Sequence, residues 1–541
     1  MTKRKAGGRK LASIGLVAVL ACANTALTQG SPETVTDPGS QTTPAVIVLL
    51  VVDQLPADLL DRYADLFQGG FARLRAEGRR FTQATHDHGI TETSPGHATI
   101  STGTFPSRHG MVSNIWYSRE DPGPWQPTEN VIDPDYVMVG AEGYVGSSPS
   151  ALMRSSIGDW LVEKDDDAKV VSISGKDRAA ILLAGQGEGT VYWFESALGR
   201  FATSTFYDDK DPGWVEDFNE DLQERISEET LWLNQVPEPT RQRARPDSAA
   251  YERDGEDTTF PHVFVPGAEQ DVAAFYHWWS NTPYLDRETF AMAGEALQAL
   301  DLGQDDVTDL LAVSLSATDR VGHDFGPFSQ EQLDNLLRLD VELGQFLDLL
   351  DRRFGDRYVL VVTSDHGVSP APEYVRELGG TGRRLTRDAG AQLNEAASGV
   401  LNGPEAGGAT MARELAAVAA DADWVARAWA HVDLREPAEG DTLAALVARS
   451  VYPGRAAGLM GRLGVEVVLN EHTLLWAWPY GTTHGSPFLY DRQVPLIFLG
   501  AGVAPGVVAG QASTTSIAPT LAVWAGVQAP NDLDGGVLPL R

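Results

Sequence analysis

Acidic and histidine residues recur in this sequence in pairs whose spacing suits metal binding. Asp319 and His323 stand four residues apart, which is about one turn of a helix, and Asp365 is followed directly by His366. With three further oxygen or nitrogen donors they give seven candidate ligands: Asp53, Thr93, Asp319, His323, Asp365, His366 and His484. Zn²⁺ prefers such carboxylate and imidazole donors, so the set predicts two zinc sites. Each pair taken alone fits a salt bridge or a helix cap equally well.

A hydroxyl residue stands where it could act as a nucleophile. Thr93 and Ser94 precede Pro95, which is favoured in the first turn of a helix, and this predicts a helix that continues through Ile100. A hydroxyl at that position faces unpaired backbone N–H groups and the positive end of the helix dipole. This setting favours an alkoxide and binds phosphate, although an ordinary helix cap would have the same sequence.

The candidate ligands follow short apolar runs that predict buried parallel strands. Such runs are found at 45–52, 169–173, 310–315 and 358–362, and a further strand at 494–499 follows the glycine-flanked loop of His484. A long helix is predicted from Ser329 to Phe354, with a capping box formed by Ser329 and Gln332. Strands that alternate with helices predict a doubly wound, mostly parallel α/β sheet, whose sites form at the carboxyl ends of the strands.

Two regions do not follow this alternation and are predicted to be insertions at the active-site end of one catalytic domain, 45–541. The first, near 180–290, is rich in aromatic and acidic residues and contains a predicted hairpin that pairs 191–194 with 201–206. The second, near 370–480, contains an alanine-rich stretch, 409–430, that predicts a helix.

Composition limits the partners and the location of the chain. Its 541 residues carry a formal net charge of −33, which argues against nucleic acid and anionic membranes as partners. The single cysteine, Cys22, excludes an internal disulfide. No stretch is long and apolar enough for a transmembrane helix.

The first residues predict export to the periplasm or the medium. A basic beginning and a short apolar run, 11–21, have the form of a signal peptide within 1–23, and 24–44 has the composition of a disordered tether. Cleavage at the Ala21-Cys22-Ala23 motif is the expected processing, and a lipid anchor at Cys22 is the alternative.

Taken together, these residues resemble the alkaline phosphatase superfamily. The order of the seven ligands matches its pattern, and Thr93 in Thr91-x-Thr93-x-Pro95-Gly96-His97, with Asn114 downstream, resembles its nucleotide pyrophosphatase/phosphodiesterases. The segment Gly175-Lys176-Asp177-Arg178 is similar instead to the PafA-type alkaline phosphatases, which are monoesterases. No Cys-x-Pro-x-Arg motif is present, which argues against a sulfatase.

The resemblance implies roles for the individual residues. One Zn²⁺ is expected on Asp319, His323 and His484, and the second on Asp53, Asp365 and His366, with Thr93 as its reactive ligand. Thr93 would attack phosphorus to form a phosphothreonine, while Asn114, Lys176 and Arg178 hold the non-bridging oxygens. His97 is expected to support the site from behind, and the other histidines are expected to be structural.

Three functions remain open on this basis. The first is a secreted phosphate monoester hydrolase, and the second is a phosphodiesterase or nucleotide pyrophosphatase on the same scaffold. The third is a protein that binds phosphate esters and has lost catalysis. The sequence does not reveal the natural substrate.

Overall fold

A nine-stranded sheet runs through the computed structural model, which describes residues 43–119, 123–266, 272–403 and 408–541. From edge to edge the strand order is β20-β2-β19-β13-β1-β12-β7-β8-β9. The strand bounds are β1 Val46–Val52, β2 Arg79–Thr85, β7 Val170–Ser174, β8 Thr190–Glu195, β9 Arg200–Ala202, β12 Asp309–Leu315, β13 Tyr358–Thr363, β19 Leu496–Gly500 and β20 Gly506–Ser513. The adjacent strands β13, β1, β12, β7 and β8 are parallel, so the predicted mostly parallel α/β sheet is confirmed.

Strand β1 explains how the sheet is covered on both faces. Its side chains alternate, so that Val46, Val48 and Leu50 belong to one apolar core and the intervening Ile47 and Leu49 to the other. All are fully buried, which is why the strand reads as a continuous apolar run.

Helices form the two outer layers. Their bounds are α1 Ala57–Arg62, α2 Gly70–Glu77, α3 Thr93–Thr102, α4 Pro106–His109, α5 Ile157–Lys164, α6 Asp177–Ala184, α7 Gly213–Glu228, α8 Glu238–Arg241, α9 Val272–Ser280, α10 Tyr284–Ala299, α11 Ala317–Phe325, α12 Gln330–Phe354, α13 Pro372–Glu377, α14 Arg387–Leu401, α15 Gly408–Ala420, α16 Thr442–Ala448, α17 Leu489–Arg492 and α18 Ile517–Ala525. The leucines of α10 and α12 pack into one core, and α3, α5, α6 and α18 pack into the other. None of the described helices is both long and apolar enough to cross a bilayer.

The long helix begins where the sequence predicts, but its cap differs from the prediction. Ser329 accepts a hydrogen bond from the backbone N–H of Gln332 at 3.0 Å. The side chain of Gln332 does not complete a capping box, because its oxygen accepts from the side-chain amide of Asn335 at 3.0 Å. Its own amide donates to the carbonyl of Thr318 at 2.8 Å. This bond ties the beginning of α12 to α11, the helix that carries Asp319 and His323.

The first region outside the predicted alternation also contributes to the central sheet. The predicted hairpin is present as β8 and β9, and β8 pairs in parallel with β7, so these strands extend the sheet instead of standing apart from it. The rest of this region is largely helical and includes the short pair β10 Leu231–Trp232 and β11 His262–Val263.

Strands of the second region form small sheets separate from the central sheet, one of them together with strands from an earlier part of the chain. These contain β14 Arg383–Arg384 with β18 Thr473–Leu474, β15 Val425–Ala430 with β17 Val465–Leu469, and β16 Arg455–Ala456 with β3 Ile115–Ser118 and β4 Gln126–Glu129. A further pair joins β5 Ile132–Val137 and β6 Val145–Ser147. The helix predicted over 409–430 is wrong in its second half, because α15 ends at Ala420, a turn follows at 421–424, and β15 begins at Val425.

The signal peptide predicted at 1–23 and nearly all of the tether predicted at 24–44 lie outside the described residues.

Candidate active site

The carboxyl ends of neighbouring parallel strands bring the predicted ligands together. Asp53 directly follows β1, Asp319 lies in the first turn of α11 after β12, and Asp365 follows β13. Two groups of donor atoms form there, each with its atoms within 4.8 Å of one another: Asp53 with Asp365 and His366, and Asp319 with His366 and His484. The first group contains the carboxylates and the imidazole of one predicted zinc set. The second group differs from the prediction because His366 also approaches it.

His323 joins this second group through Asp319. Its Nε2 lies 3.2 Å from Asp319 Oδ1, and His484 Nε2 lies 3.7 Å from the same oxygen. Asp319 therefore stands between the two histidines with which the sequence predicts it to share a metal.

The three imidazoles are oriented alike. The Nδ1 atom of His323 is 2.9 Å from the carbonyl of Thr482, and that of His366 is 3.0 Å from the carbonyl of Gly367. His484 makes the same contact with the carbonyl of Thr91 at 2.7 Å. Because a carbonyl only accepts, each Nδ1 carries a hydrogen, and the neutral form of each ring presents the lone pair of its Nε2 to a metal.

The charges and unpaired atoms of the site fit bound cations. Asp53 Oδ1 and His366 Nε2 are buried 3.5 Å apart and, among the described residues, neither makes a hydrogen bond. Burial, followed by the nearby charges of Asp319 and Asp365, raises the pKa of Asp53 well above its usual value. Burial, together with the neighbouring histidines, lowers the pKa of His484 well below its usual value. Neutral imidazoles beside crowded carboxylates are the donor set that binds Zn²⁺.

Helix α3, which begins at Thr93, packs its first turn on Asp365 of this donor set. Thr93 is the first residue of the helix and is 1% exposed. A Cβ at Gly96 would lie only 2.2 Å from the carbonyl oxygen of Asp365, so this glycine allows the first turn to pack on the Asp365 backbone. His97 supports the site as expected, with Nδ1 3.2 Å from Asp365 Oδ2 and 2.9 Å from the carbonyl of Thr93.

Asn114 is held beside Thr93 by a residue that the sequence analysis missed. The partly buried carboxylate of Glu92 accepts from the backbone N–H of Asn114 at 2.6 Å and from the hydroxyl of Ser113 at 2.8 Å. Asn114 Oδ1 in turn accepts from the N–H of Ser94 at 2.9 Å. The only signal in the sequence is the position of Glu92 next to Thr93.

Gln54 is a second residue that the sequence analysis missed. It has a φ of 63°, a left-handed conformation that is uncommon for a residue other than glycine. Its side-chain amide donates to Asp319 Oδ1 at 2.7 Å, and its backbone N–H donates to Asp365 Oδ1 at 3.1 Å. Gln54 therefore orients two carboxylates at once, and its place directly after Asp53 is the only sequence signal.

The two predicted cations lie in different surroundings. The ammonium of Lys176 lies 2.6 Å from Asp53 Oδ2 and 2.5 Å from Asp319 Oδ2, so it pairs with predicted metal ligands. The sequence analysis missed this pairing, which follows from the attraction between an ammonium and crowded carboxylates. The predicted contact of Lys176 with the phosphate stays a prediction. Arg178 and Asn114 do line the cavity in front of the site, which has a volume of about 540 Å³.

Comparisons with known proteins agree with this arrangement. Residues 47–464 match the model of a family described as type I phosphodiesterase / nucleotide pyrophosphatase. Alkaline phosphatase PhoV of Synechococcus elongatus is 31% identical, and the alignment covers 98% of both chains. A Myroides odoratus protein named calcium-transporting ATPase is 32% identical over 90% of this chain and 93% of its own.

A crystal structure of alkaline phosphatase PafA superposes with a TM-score of 0.83 and 27% identity, covering 92% of this chain and 99% of that one. A variant of the same enzyme carries substitutions of one threonine, one asparagine, one lysine and one arginine. These four residues are separated along that chain by the same numbers of positions as Thr93, Asn114, Lys176 and Arg178 are here.

Proposed function

The chain belongs to the type I phosphodiesterase / nucleotide pyrophosphatase family, and we propose that within it this protein is a metal-dependent phosphate monoester hydrolase that acts through Thr93. The observation that carries the proposal is the convergence of Asp53, Asp319 and Asp365 with histidines at the strand ends, together with the packing on Asp365 of the helix that begins at Thr93. The relatives named alkaline phosphatases favour the same activity.

The proposed metal content is two Zn²⁺. Asp53, Asp365 and His366 hold one ion next to Thr93, and Asp319, His323 and His484 hold the other. When bound, such ions neutralise the crowded carboxylates and stabilise negative charge on the attacking and departing oxygens. The support for this assignment is the pair of unpaired buried donor atoms together with the common orientation of the three imidazoles.

The chain's own residues carry the covalent chemistry. The hydroxyl oxygen of Thr93 loses its proton and bonds to phosphorus, while the bond from phosphorus to the ester oxygen breaks and that oxygen takes up a proton. Water then attacks the phosphothreonine, which releases inorganic phosphate and restores the hydroxyl. Asn114 and Arg178, both on the cavity wall, hold the non-bridging oxygens.

Lys176 acts on the phosphoryl group from the side of the carboxylates. Its ammonium, placed between Asp53 and Asp319, partly compensates their charge and lowers the repulsion that a phosphate dianion meets on approach. Arg178 adds charge-assisted donors, and a monoester dianion uses them more fully than a diester, which carries one charge less.

The test of this function compares a matched aryl phosphate monoester and diester. We expect kcat/KM to be far higher for the monoester. A higher kcat/KM for the diester would favour the phosphodiesterase function, for which the description of the family model is the main support. Binding of both esters without turnover would favour a binding protein instead.

Metal analysis tests the cofactor proposal independently. Elemental analysis is expected to find close to two zinc ions per chain, and prolonged chelation is expected to remove activity. Zn²⁺ should restore that activity better than Mg²⁺, because imidazole nitrogen is a poor ligand for Mg²⁺. One zinc per chain, or magnesium alone, would contradict the assignment.

Export completes the proposal. We propose that the mature protein lacks the residues up to about 21–23 and leaves the cytoplasm. Mass spectrometry of the native N-terminus distinguishes cleavage near Ala23 from a lipid on Cys22. A chain that still begins at Met1 in a bacterial host would contradict both.

A further inference from the structure

The cavity in front of the site extends far beyond the phosphate-binding residues. Arg178, Asn114, His323 and His484 line one end of its volume of about 540 Å³. The other end is lined by segments that the central sheet does not supply, among them 457–459 and 466–470. This volume lies within the range of small-molecule sites and far exceeds what a phosphoryl group needs.

Apolar side chains form much of the cavity wall. Six of them come from separate segments of the chain: Ile90, Ile115, Leu459, Val468, Trp478 and Phe488. Ile115 is 61% exposed although it directly follows Asn114. Together with the other apolar side chains of the cavity wall, Ile115 forms part of an apolar surface that is open to a ligand.

Trp478 connects this wall to the proposed metal site. Its indole stacks on the imidazole of His323, with centroids 5.0 Å apart and planes inclined by 6°. The same indole remains 39% exposed, so part of it is still available to a ligand. Aromatic rings next to such a surface gain stacking as well as burial.

Charge on the cavity wall is unequally distributed. Among the described lining residues, Arg178 is the only lysine or arginine, whereas Glu92, Glu466 and Asp491 are acidic. Glu466 lies 2.8 Å from His431 Nε2, and Glu92 accepts from Asn114, so these acids already have partners. A second anionic group on the substrate would lose its water without gaining a cation.

We propose that this cavity binds the organic group of the substrate, and that the preferred group is uncharged and aromatic. The proposal rests on the hydrolase function argued above and adds the class of ester. The protein therefore selects aryl-type monoesters and disfavours esters that carry a second anion, such as a sulfonate, a carboxylate or another phosphate. A cavity of about 150 Å³ already holds benzene, so a bicyclic ring is well within the available volume.

Three phosphate monoesters with leaving groups of similar acidity test the proposal. They are phenyl phosphate, 2-naphthyl phosphate and 2-naphthyl phosphate with a sulfonate on the distant ring. The second ring should raise kcat/KM about tenfold over phenyl phosphate, because roughly 1–2 kcal/mol of apolar burial is added. The sulfonate should reverse that gain and lower kcat/KM below the phenyl value.

The outcomes separate the two proposals. If all three esters are hydrolysed with kcat/KM values within about twofold of one another, the cavity proposal fails and the hydrolase function stands. If none is hydrolysed by the zinc-loaded protein, the hydrolase function itself fails. Faster hydrolysis of the sulfonated ester would show that the far wall recognises anions, which contradicts the proposal.

A substitution on the cavity wall gives a second test. Leu459 lies in a turn and is 37% exposed, so Leu459→Lys is compatible with folding and adds a cation where the wall has none. The variant should hydrolyse the sulfonated ester at least about fivefold better relative to 2-naphthyl phosphate. Leu378→Lys, at a 70% exposed leucine outside the cavity lining, is the matched control and should leave the ratio unchanged. An unchanged ratio in Leu459→Lys would overturn the proposal.

Discussion

The carboxyl edge of the central sheet and the second predicted insertion, near 370–480 and here called the inserted segment, both contribute to the cavity, but they are built differently. At the sheet edge, Asp53, Asp365 and His366 are fully buried in short turns that follow strands within an apolar core. The inserted segment instead presents partly exposed apolar side chains such as Leu459. Reactive groups therefore sit where the backbone is most constrained, and the contacts proposed to select the substrate sit on an addition to the fold.

The nucleophile provides the strongest test of the role assigned to the sheet edge. Thr93→Ala is expected to lower kcat by at least about a thousandfold, because no other group replaces the attacking oxygen. The fold and most of the zinc should remain, since the other six proposed ligands are unchanged. Thr93→Ser should keep substantial activity.

A matched control lies on the same helix. Thr102 is equally buried at the opposite end of α3, and its hydroxyl donates to the carbonyl of Ala98 at 2.6 Å. Thr102→Ala should affect stability more than turnover. Near wild-type turnover in Thr93→Ala would contradict the covalent mechanism.

The cations at the end of β7 should show the next largest effect. Replacing Lys176 and Arg178 together by Ala is expected to lower monoester kcat/KM by roughly a few hundredfold, since each charge-assisted contact contributes about 1.5–3 kcal/mol. Diester hydrolysis should fall much less. Equal losses on both substrates would contradict their role in recognising the monoester dianion.

The single variants separate two effects within this pair. Lys176 contacts Asp53 and Asp319 directly, so Lys176→Ala should change zinc content as well as activity. Arg178→Ala should lower activity about tenfold or more with zinc content unchanged. Arg178 lines the cavity, and among the described residues it forms no ion pair within 4 Å with a proposed zinc ligand. Zinc analysis of both variants checks this difference.

The same contrast explains what could be predicted from the sequence. The apolar run of β1 followed by Asp53, and the Asp365-His366 pair after β13, have local patterns that fix both the strand and the ligand. Gln54 and Glu92 act through contacts with residues 21 to 311 positions away, and neither has a local pattern of its own. The pairing of Lys176 with Asp53 and Asp319 was missed for the same reason, because it depends on how three loops converge.

The inserted segment could be predicted in outline only. Its alanine-rich stretch has high helix propensity, yet Val425–Ala430 forms a strand because β17 pairs with it. The wall of the cavity comes from several short segments that have no periodic pattern. Its apolar character becomes visible only when those segments are brought together.

Arg384 joins the inserted segment to the loop that carries His484, and its replacement is expected to have an effect of intermediate size on metal binding. Arg384, in the inserted segment, donates to the carbonyl of Trp478 at 2.5 Å and to that of Gly481 at 2.8 Å, while Glu373 holds its guanidinium. The loop fixed in this way leads directly to Thr482, whose carbonyl orients His323, and then to His484. Arg384 is therefore a positioning residue for two proposed zinc ligands.

Substitution of this residue tests whether the insertion supports chemistry as well as selectivity. Arg384→Met should weaken zinc affinity about tenfold in competition with a chelator, as is typical when partners of metal ligands are lost. The neighbouring Arg383 pairs with Asp423 on the surface, so Arg383→Met is the control and should bind zinc normally. Unaltered zinc affinity in Arg384→Met would show that the inserted segment contributes to substrate selection and not to metal binding.

Substitution of His262 is expected to have the smallest effect on activity. This histidine lies in the first region outside the alternation of strands and helices, where it is buried among aromatic rings. Its Nδ1 lies 3.1 Å from Asp257 Oδ1 and its Nε2 lies 3.2 Å from Glu331 Oε1, at the beginning of α12. Burial lowers the pKa of His262, but the hydrogen bonds to the two carboxylates outweigh it and raise the pKa to about 8. The imidazolium of His262 thus links the first region outside the alternation to α12, a helix of the main fold.

Because the pKa of His262 is higher in the folded than in the unfolded chain, its protonation stabilises the fold fully below about pH 6.5, and this stabilisation is lost as the pH rises through 8. The fall in the free energy of unfolding between pH 6 and 9 should therefore be about 2 kcal/mol larger in the wild type than in His262→Gln, as measured by urea denaturation at constant ionic strength. Burial raises the pKa of Asp286 to about 7 and that of Glu342 to about 8, so these carboxyls add a fall of their own in both proteins. Asp247 also faces Glu331, and burial followed by the charge of Glu331 raises its pKa to about 6, so most of its own titration lies below this window.

His262→Gln should leave kcat/KM within about twofold, and Asp257→Asn should shift the contribution of His262 to lower pH. An identical pH dependence in wild type and His262→Gln would assign the effect to another group.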